Sequence, residues 1–350
     1  MREDLLSFTL EELKQKMIEL GEKPFRAKQI ADWLGKARRF EEMKNLPESL
    51  VQKLRASFDE GLPHMEMRLV SQDGTQKYLF RYADGSLVES VLMKYHHGNT
   101  ICLSTQVGCR MGCAFCASGQ HGLMRNLTAG EMLGQVLMVN RDLGEGGRNI
   151  TNMVLMGSGE PMDNYDQVVR FLKNVNSPTY LGVSYRNISV STCGLPEKIR
   201  QFAQENLPVT LCLSLHASSD EQRKKVMAVA KRYTIQQVMD AVRDYYAVSG
   251  RRVIIEYALM KGVNDSAEDV NRLRGLLHGL LCHINVIPLN EVKESSLKAP
   301  SKKEAYVFAE KLEQVGLSAT VRRSLGVDIN GACGQLRNQY QRDGSETLPA

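Results

Sequence analysis

The sequence predicts an α/β protein: a partial, TIM-like (β/α)6 barrel preceded by a small helical domain and a short antiparallel β extension. Three observations predict this fold class. Residues 1–60 carry apolar side chains at helical spacing, residues 61–99 carry short strand-like runs between turn residues, and from residue 100 strands alternate with helices. Because such alternation is typical of a parallel sheet covered by helices, the third region should hold the main core.

Length and composition are those of an ordinary globular protein. The chain has 350 residues, of which 43% are hydrophobic and 24% charged, so it can bury a full core. Eight cysteines in a chain of this length do not resemble a secreted disulfide scaffold and favour metal or catalytic work in a reducing compartment. The net charge of +5 permits a polyanionic partner without identifying one.

The N-terminal sequence and the hydropathy predict where the protein works. No apolar run is long enough to span a bilayer, and the first residues, MREDLLSFTLEELKQ, are too charged for a signal peptide. We therefore expect a cytoplasmic protein without membrane contact.

The first predicted domain, residues 1–60, begins with a helix. Thr9 and Glu12 have the spacing of a capping box, and Leu10, Leu13 and Met17 follow it at helical spacing. Basic residues in and around the second helical segment form either a solvated face or a face that contacts phosphates. These residues are Lys23, Arg26, Lys28, Lys36, Arg38 and Arg39.

The β extension is predicted over residues 61–99. Three strand-like runs, MEMRLVS, KYLFRY and LVESVLM, are separated by Asp73-Gly74 and Asp84-Gly85. Because Asp-Gly pairs are typical of hairpin turns, these runs should pair antiparallel.

The barrel is predicted over residues 100–325, followed by a C-terminal loop and tail over residues 326–350. Runs such as Val253-Ile254-Ile255 suit strands buried on both faces. Strands are expected at 100–105, 151–156, 187–192, 208–215, 252–259, 283–288 and 318–323. Helices are expected near 128–142, 164–175, 197–204, 234–248, 266–281 and 302–315. Six β/α units, where a closed TIM barrel has eight, predict an open barrel.

The strongest chemical signal is a segment with Cys109, Cys113 and Cys116 at C-x3-C-x2-C spacing. Small neighbours let the backbone fold tightly around a bound group. One interpretation is a zinc site with His121 as fourth ligand, although the chain has no second CxxC pair of the kind that completes a zinc ribbon. The other is an iron–sulfur cluster held by three thiolates, which leaves one iron open to an outside ligand.

The cysteine segment and two flanking stretches resemble a known family. The stretches are Leu103-Ser104-Thr105-Gln106-Val107-Gly108-Cys109 and Ala332-Cys333-Gly334-Gln335-Leu336. Together they resemble the RlmN/Cfr family of adenine methyltransferases, which belongs to the radical S-adenosylmethionine (SAM) enzymes. The resemblance implies a radical SAM barrel in which the three closely spaced cysteines bind a 4Fe-4S cluster and SAM binds the open iron. It also implies that the helical domain helps to hold RNA.

Several polar residues lie just after predicted barrel strands, where parallel barrels gather their functional groups. The turn Gly157-Ser158-Gly159-Glu160-Pro161 lets a ligand approach the backbone and offers a carboxylate to an amine. Each such residue alone is more often a cap or turn residue, and a lone histidine is more often structural. The family resemblance implies that the SAM pocket consists of Gly159, Glu160, Ser191, Ser214, Leu215, His216 and Asn290.

Two further cysteines and a glutamate complete the implied mechanism. Without the resemblance, Cys102 would be a core residue, Cys333 a loop thiol and Glu89 an exposed residue of an alternating strand. The resemblance implies instead that Cys333 accepts a methyl group from a first SAM and carries it to the RNA. Glu89 then accepts the ring proton, and Cys102 attacks the Cys333 sulfur to form a transient disulfide that releases the methylated RNA.

The resemblance therefore implies a methyltransferase that uses two SAM per turnover and acts on C2 of an adenine in 23S rRNA and of an adenine next to the tRNA anticodon. We expect an electron donor such as flavodoxin and, since nothing demands an oligomer, a monomer. The triplet Gly159-Glu160-Pro161 favours C2 over the alternative, a Cfr-like enzyme that methylates C8 and confers antibiotic resistance. Two other classes stay open: a zinc-stabilised RNA-binding protein without catalysis, and a radical SAM enzyme that acts on a small molecule.

Overall fold

The structure is a computed structural model that describes residues 2–144, 149–289, 297–329 and 340. Its helices are α1 Leu10–Glu19, α2 Arg26–Leu34, α3 Glu48–Ser57, α4 Ala129–Leu143, α5 Tyr165–Asn176, α6 Pro196–Gln204, α7 Asp220–Val226, α8 Ile235–Ser249, α9 Ala267–Leu277 and α10 Lys302–Gln314. Its strands are β1 His64–Val70, β2 Gln76–Arg81, β3 Leu87–Tyr95, β4 Gly98–Cys102, β5 Gln106–Gly108, β6 Leu123–Asn126, β7 Ile150–Leu155, β8 Ile188–Thr192, β9 Thr210–Ser214, β10 Val253–Leu259, β11 Cys282–Pro288 and β12 Ala319–Val321.

Local sequence signals set where many helices begin. The predicted capping box of Thr9 and Glu12 is present at α1, where each side chain accepts a hydrogen bond from the other residue's backbone N–H. Four further helices, α4, α8, α9 and α10, begin with the same arrangement. Each box satisfies backbone donors that the first helical turn would otherwise leave unpaired.

One sheet runs through the molecule in the order β1-β2-β3-β4-β7-β8-β9-β10-β11-β12. Strands β1 to β4 pair antiparallel, and every pair from β4 and β7 onward is parallel. In the described part of the chain no ladder joins β12 to β1, so the sheet is an open barrel. The six β/α units that the sequence predicts are confirmed, with α4, α5, α6, α8, α9 and α10 as the helices that return to the next strand.

Two elements near the cysteines were not predicted from the sequence. Strands β5 and β6 form a short hairpin on either side of the cysteine segment. Helix α7 lies between β9 and α8. The two hairpin strands have three and four residues and the helix has seven. None of them is long enough to show the periodicity by which longer elements are recognised.

The helical N-terminal segment packs directly on the barrel. Leu5 and Leu6 are fully buried in the same apolar core as the barrel helices. Helix α4 receives this segment through two glycines, because an added Cβ at Gly130 would lie 1.7 Å from an Asp4 carboxylate oxygen and one at Gly134 would lie 2.3 Å from the Gly61 carbonyl oxygen. The N-terminal segment and the barrel therefore share one continuous core.

Most of the basic residues predicted in this segment have partners within the chain. Arg26 donates to Gln29, Lys28 pairs with Asp32, Arg38 pairs with Glu42, and Arg39 donates to the Leu62 and Pro63 carbonyls. Exposed ion pairs of this kind contribute little stability and exchange readily. RNA contact by this face stays a prediction.

Candidate active site

A cavity of about 270 Å³ lies at the carboxyl ends of the parallel strands. It is the place where a parallel barrel collects its functional groups. Most of the described residues predicted for the cluster and for SAM line it: Cys109, Cys113, Cys116, Gly159, Glu160, Ser191, Ser214 and His216. The structure therefore brings together, in one cavity, segments that are more than 100 residues apart in the sequence.

The turn after β7 packs against the segment that leads into the cysteines. An added Cβ at Gly157 would lie 2.7 Å from the Leu103 carbonyl carbon, and one at Gly159 would lie 2.6 Å from the Gln106 Cβ. The carbonyl of Ser158 accepts hydrogen bonds from the backbone N–H groups of Thr105 (2.8 Å) and Gln106 (3.1 Å). The glycines are thus required because the two backbones touch, which fixes the turn relative to the cysteine segment.

Glu160 is buried and its carboxylate holds the ends of two strands together. One oxygen accepts from the Cys193 N–H (2.8 Å) beyond β8, and the other accepts from the Met162 N–H (3.0 Å). Burial raises the pKa of Glu160, while these hydrogen bonds act in the opposite direction. A carboxylate oxygen accepts more than one hydrogen bond, so this geometry leaves acceptor capacity for a ligand amine.

The cysteine segment is anchored on two sides. The Cys109 N–H donates to the Gly122 carbonyl (2.9 Å) in the β5–β6 hairpin, and the Ala114 N–H donates to the Val226 carbonyl (2.9 Å) at the end of α7. The Phe115 ring meets the His216 ring edge to face, with centroids 4.9 Å apart. The β5–β6 hairpin and helix α7 therefore hold the cysteine loop in place.

The buried cysteines lie near a buried arginine whose charge is not fully compensated. Burial raises the pKa of Cys109 to about 12 and raises that of Cys113 well above its ordinary value. Metal coordination deprotonates such thiols. Beside them lies the fully buried guanidinium of Arg223, whose Nη1 has no hydrogen-bond partner among the described residues. Three thiolates on an iron–sulfur cluster would supply the missing negative charge, so the residues present fit that group.

The arrangement does not suit a single zinc ion. Among the described residues no group of three His, Cys, Asp or Glu side chains is placed to hold one metal ion. In a four-iron cluster each cysteine binds a different iron, so the three sulfurs lie further apart than around one ion. His121, the fourth ligand of the zinc interpretation, is exposed. The geometry favours the cluster.

The polar groups on the opposite wall come from the ends of β8 and β9. The hydroxyl oxygens of Ser191 and Ser214 lie 3.3 Å apart. His216 has a left-handed backbone (φ +56°), and its Nδ1 accepts from the Ala258 N–H at 2.9 Å, so the ring proton is on Nε2. Burial, with the Arg223 charge as a second cause, lowers the pKa of His216 to about 3. The cavity is therefore lined by a neutral imidazole.

Two of the predicted SAM residues and the predicted methyl-carrying cysteine are not among the described residues that line the cavity. Leu215 is fully buried beside it, and its carbonyl accepts a hydrogen bond from Arg223. Asn290 and Cys333 lie outside the described residues. The disulfide expected between Cys102 and Cys333 therefore also involves a residue outside the described ranges, and it stays a prediction.

Glu89 and Cys102 share one face of the sheet. The register pairs Lys77 with Val91 and Val91 with Cys102, so these three side chains point to the same face. Glu89 lies two residues from Val91 and therefore on the same face. It forms a 3.0 Å ion pair with Lys77, and only 6% of the Glu89 side chain and 0% of the Lys77 side chain are exposed. The expectation, made without the resemblance, that Glu89 is an exposed strand residue is thus wrong. Cys102 packs in an apolar cluster with Met156, a residue of the cavity wall.

Sequence reasoning missed several residues of the cavity. Glu256, in the middle of the apolar strand β10, is buried in the wall and accepts from Asn285, and Arg322 lines the wall after β12. A single acid within the run Val253–Leu259 is the signal that could have found Glu256. Cys193 also lines the cavity.

Comparisons with known proteins agree with this site. Residues 103–273 match the family model of the Radical SAM superfamily, and residues 3–59 match that of the ribosomal RNA large subunit methyltransferase N-terminal domain. A solved radical SAM methyltransferase from Sphaerobacter thermophilus superposes with a TM-score of 0.91 at 41% identity, covering 95% of this chain and 98% of that one. Barrel, cysteine segment and strand-end pocket together define a radical SAM enzyme.

Curated relatives narrow the class to one family. The "probable dual-specificity RNA methyltransferase RlmN" of Clostridium perfringens strain SM101 is 52% identical over 96% of this chain and 97% of its own length. The protein of the same name from Clostridium novyi strain NT is 48% identical over 97% and 99%. The chain therefore belongs to the RlmN family of radical SAM RNA methyltransferases.

Family membership confirms several predictions. The predicted radical SAM fold and enzyme class are confirmed, and the family implies a 4Fe-4S cluster and SAM as cofactors. Family membership also argues against a non-catalytic zinc protein. No helix in the described residues is long and apolar enough to cross a membrane.

Proposed function

We propose that the chain methylates C2 of one adenine in 23S rRNA, and of an adenine next to the anticodon in tRNA, through a methylated cysteine. The observation that carries the proposal is the meeting of three thiols with the strand-end polar residues in one cavity, in a chain 52% identical to a probable dual-specificity RNA methyltransferase. RNA as the substrate class and C2 as the position rest on that relationship.

In this proposal Cys109, Cys113 and Cys116 hold the cluster. When bound, the cluster with SAM supplies one-electron chemistry that yields a 5′-deoxyadenosyl radical. The cavity wall would bind SAM through the backbone at Gly159 and the side chain of Glu160. Further SAM contacts are proposed for Ser191, Ser214, Leu215, His216 and Asn290.

The chemistry of the wall residues supports these roles. The Nε2–H of His216 is a fixed donor, because Nδ1 already accepts from the Ala258 N–H. The hydroxyls of Ser191 and Ser214 can each donate and accept. Burial of the wall strengthens such hydrogen bonds and keeps water away from a reactive radical.

The methyl group reaches the adenine through Cys333. Adenine C2 is too electron-poor to attack a methyl sulfonium, whereas the Cys333 thiolate can attack the methyl of a first SAM and release S-adenosylhomocysteine. A second SAM is then consumed when one hydrogen is taken from the S-methyl group, whose carbon bonds to C2. Two SAM are thus used per turnover.

Two residues complete the reaction. The Glu89 carboxylate accepts the C2 proton of the adduct, and the unpaired electron of the adduct passes back to the one-electron donor system, which restores the aromatic ring. The Cys102 thiolate then attacks the Cys333 sulfur, which breaks the carbon–sulfur bond and forms a disulfide, and the released carbon takes a proton from solvent to become the methyl group. A two-electron thiol reductant then reopens that disulfide. The shared sheet face of Glu89 and Cys102, beside the cavity wall, supports this assignment.

The remaining partners are proposed from the chemistry. The cluster needs a low-potential electron donor such as flavodoxin. We also propose that the protein is a monomer and works in the cytoplasm, where the RNA substrates are.

An isotope experiment tests the proposal. Anaerobically reconstituted enzyme is incubated with SAM carrying a trideuterated methyl group and unmodified rRNA, and the digested RNA is analysed by mass spectrometry. The proposed route retains two deuterium atoms in the methyl group, because one is abstracted and one proton returns from solvent. It also yields one S-adenosylhomocysteine and one 5′-deoxyadenosine per product. Three retained deuterium atoms, or methylation by Cys333→Ala, would contradict the methylated-cysteine route.

A further inference from the structure

Arg223, on the short helix α7, connects the ends of two barrel strands beneath the cavity. Its side chain is fully buried. Its Nε donates to the Leu215 carbonyl at 3.1 Å, and its Nη2 donates to the carbonyls of Cys193 and Ser214. The residue therefore holds the ends of β8 and β9, both of which carry residues of the cavity wall.

The rest of the Arg223 guanidinium is not satisfied by the protein. Its Nη1 is buried without a hydrogen-bond partner among the described residues. Burial lowers the pKa of Arg223, while Cys193, Cys113 and Asp220 act in the opposite direction. A buried charge without a partner costs several kcal/mol, roughly, so such a group normally faces a compensating anion. Asp220 is engaged elsewhere, since its carboxylate accepts a hydrogen bond from the Ile235 N–H.

We propose that Arg223 is the charge partner of the iron–sulfur cluster and makes the cluster easier to reduce. The inference rests on the proposed cluster at Cys109, Cys113 and Cys116. A cluster with three thiolate ligands becomes one unit more negative when it takes an electron from a donor such as dithionite. A fixed positive charge nearby favours that reduced form, and hydrogen bonds to cluster sulfurs act in the same direction.

The position of α7 supports this role. The Val226 carbonyl, three residues after Arg223, accepts the Ala114 N–H within the cysteine segment, and an added Cβ at Gly112 would lie 3.5 Å from the Ala228 Cβ. One short element thus carries both the charge and a backbone anchor of the loop. Arg223 is a positioning residue, because it acts through the cluster and the strand ends.

The test is a potentiometric titration of the reconstituted full-length protein without SAM, followed by electron paramagnetic resonance of the reduced cluster. Arg223→Met and Arg223→Gln remove the charge, and Arg223→Lys keeps it. At the wild-type midpoint potential, we expect the ratio of reduced to oxidised cluster to fall about tenfold in the neutral variants, a shift of about 59 mV for one electron. Arg223→Lys should stay close to the wild type.

Arg251→Met is the matched control. Arg223 contacts the carboxyl end of β9, whereas Arg251 contacts its opposite end. The Nε of Arg251 donates to the Val209 carbonyl, and its Nη2 donates to the Thr210 hydroxyl. Its loss should leave the potential unchanged.

Each other outcome overturns the inference. An unchanged potential in a neutral variant that is fully loaded with iron would leave Arg223 a purely structural role. No shift without SAM, but a shift when the titration is repeated with SAM, would assign the Nη1 N–H to the SAM carboxylate. If both neutral variants unfold while Arg251→Met stays folded, the role of Arg223 would be to hold the strand ends and stabilise the fold. Failure of the wild type itself to bind a cluster would instead contradict the proposed function.

Discussion

At the scale of single residues, the buried pair of Lys77 and Glu89 is the clearest case of mutual dependence. Their charged atoms lie 3.0 Å apart with almost no exposure to solvent. Lys77→Met leaves a buried carboxylate without this partner, which should cost about 3–5 kcal/mol of unfolding free energy. Urea denaturation monitored by circular dichroism measures the change.

The control is an exposed ion pair of the same residue types. Lys14 and Glu11 lie 2.7 Å apart with 39% and 79% of their side chains exposed, so Lys14→Met should cost less than about 1 kcal/mol. Equal costs for the two variants would mean that the Lys77–Glu89 pair contributes no more than a surface pair.

His216 gives a prediction about pH. Burial lowers its pKa from the ordinary 6.5 to about 3. Between these values the unfolded chain binds a proton that the folded chain does not bind, so this residue makes the folded state less stable as the pH falls below 6.5. The contribution approaches about 1.4 kcal/mol per pH unit within that window.

His216→Asn removes this titration while keeping a residue type that tolerates the left-handed backbone at this position (φ +56°). The difference in unfolding free energy between wild type and variant, measured by denaturant titration from pH 8 to 5, should be constant above pH 7 and should shift in favour of the variant below pH 6. A difference that is the same at every pH would mean that His216 is not held neutral.

At the scale of elements, the β5–β6 hairpin decides whether the cysteine segment keeps its shape. Gly108 has a left-handed backbone (φ +81°), and an added Cβ would lie 2.0 Å from the Gly122 carbonyl oxygen. Gly108→Ala should therefore open the hairpin, and the purified protein should lose most of its iron, as measured by colorimetric iron assay and absorbance.

Gly85→Ala separates the steric effect from the backbone strain. Gly85 has nearly the same backbone (φ +82°) but no atom within 4 Å of an added Cβ. Its substitution should cost only about 1–2 kcal/mol of strain and should retain the iron. Full iron retention in Gly108→Ala would contradict the role of the hairpin.

The elements also show what the sequence could and could not predict. The barrel strands and helices were predicted because buried β-branched runs alternate with helical stripes, as in Val253–Leu259 followed by Ala267–Leu277. The hairpin was missed because Gln106–Gly108 and Leu123–Asn126 are short and pair across the cysteine segment. Without the family resemblance, the pattern around Glu89 indicates an exposed residue, because its buried partner, Lys77, lies on a neighbouring strand and gives no local signal.

The same limit applies to the cavity. Family motifs predicted Glu160, Ser191 and Ser214, which the fold brings to one cavity. Glu256 and Arg223 carry no motif, and their importance follows from burial and from contacts with distant backbone groups. Such contacts depend on the packing of the barrel and cannot be read from spacing.

At the scale of the whole molecule, the contact with α4 joins the N-terminal segment to the barrel. An added Cβ at Gly134 would lie 2.3 Å from the Gly61 carbonyl oxygen and 2.9 Å from the Pro63 Cδ. Gly134→Ala should destabilise the protein by about 1–3 kcal/mol through overpacking, in spite of the better helix propensity of alanine. Thermal unfolding measures the loss.

Gly275→Ala is the matched substitution within a helix. Gly275 lies in α9, is exposed and has no atom within 4 Å of an added Cβ. Alanine should stabilise the protein there by about 1 kcal/mol or less. Stabilisation at both positions would mean that the N-terminal segment does not pack against α4 as described.

The central claim is that this chain methylates C2 of adenine in RNA. The most direct test incubates the anaerobically reconstituted protein with SAM, a reductant and rRNA that lacks its modifications, and identifies the methyladenosines in the digested RNA by mass spectrometry against standards. We expect 2-methyladenosine as the product. Formation of 8-methyladenosine would contradict the assigned position and indicate a Cfr-like enzyme, and neither product from a protein with an intact cluster that cleaves SAM would contradict the RNA substrate.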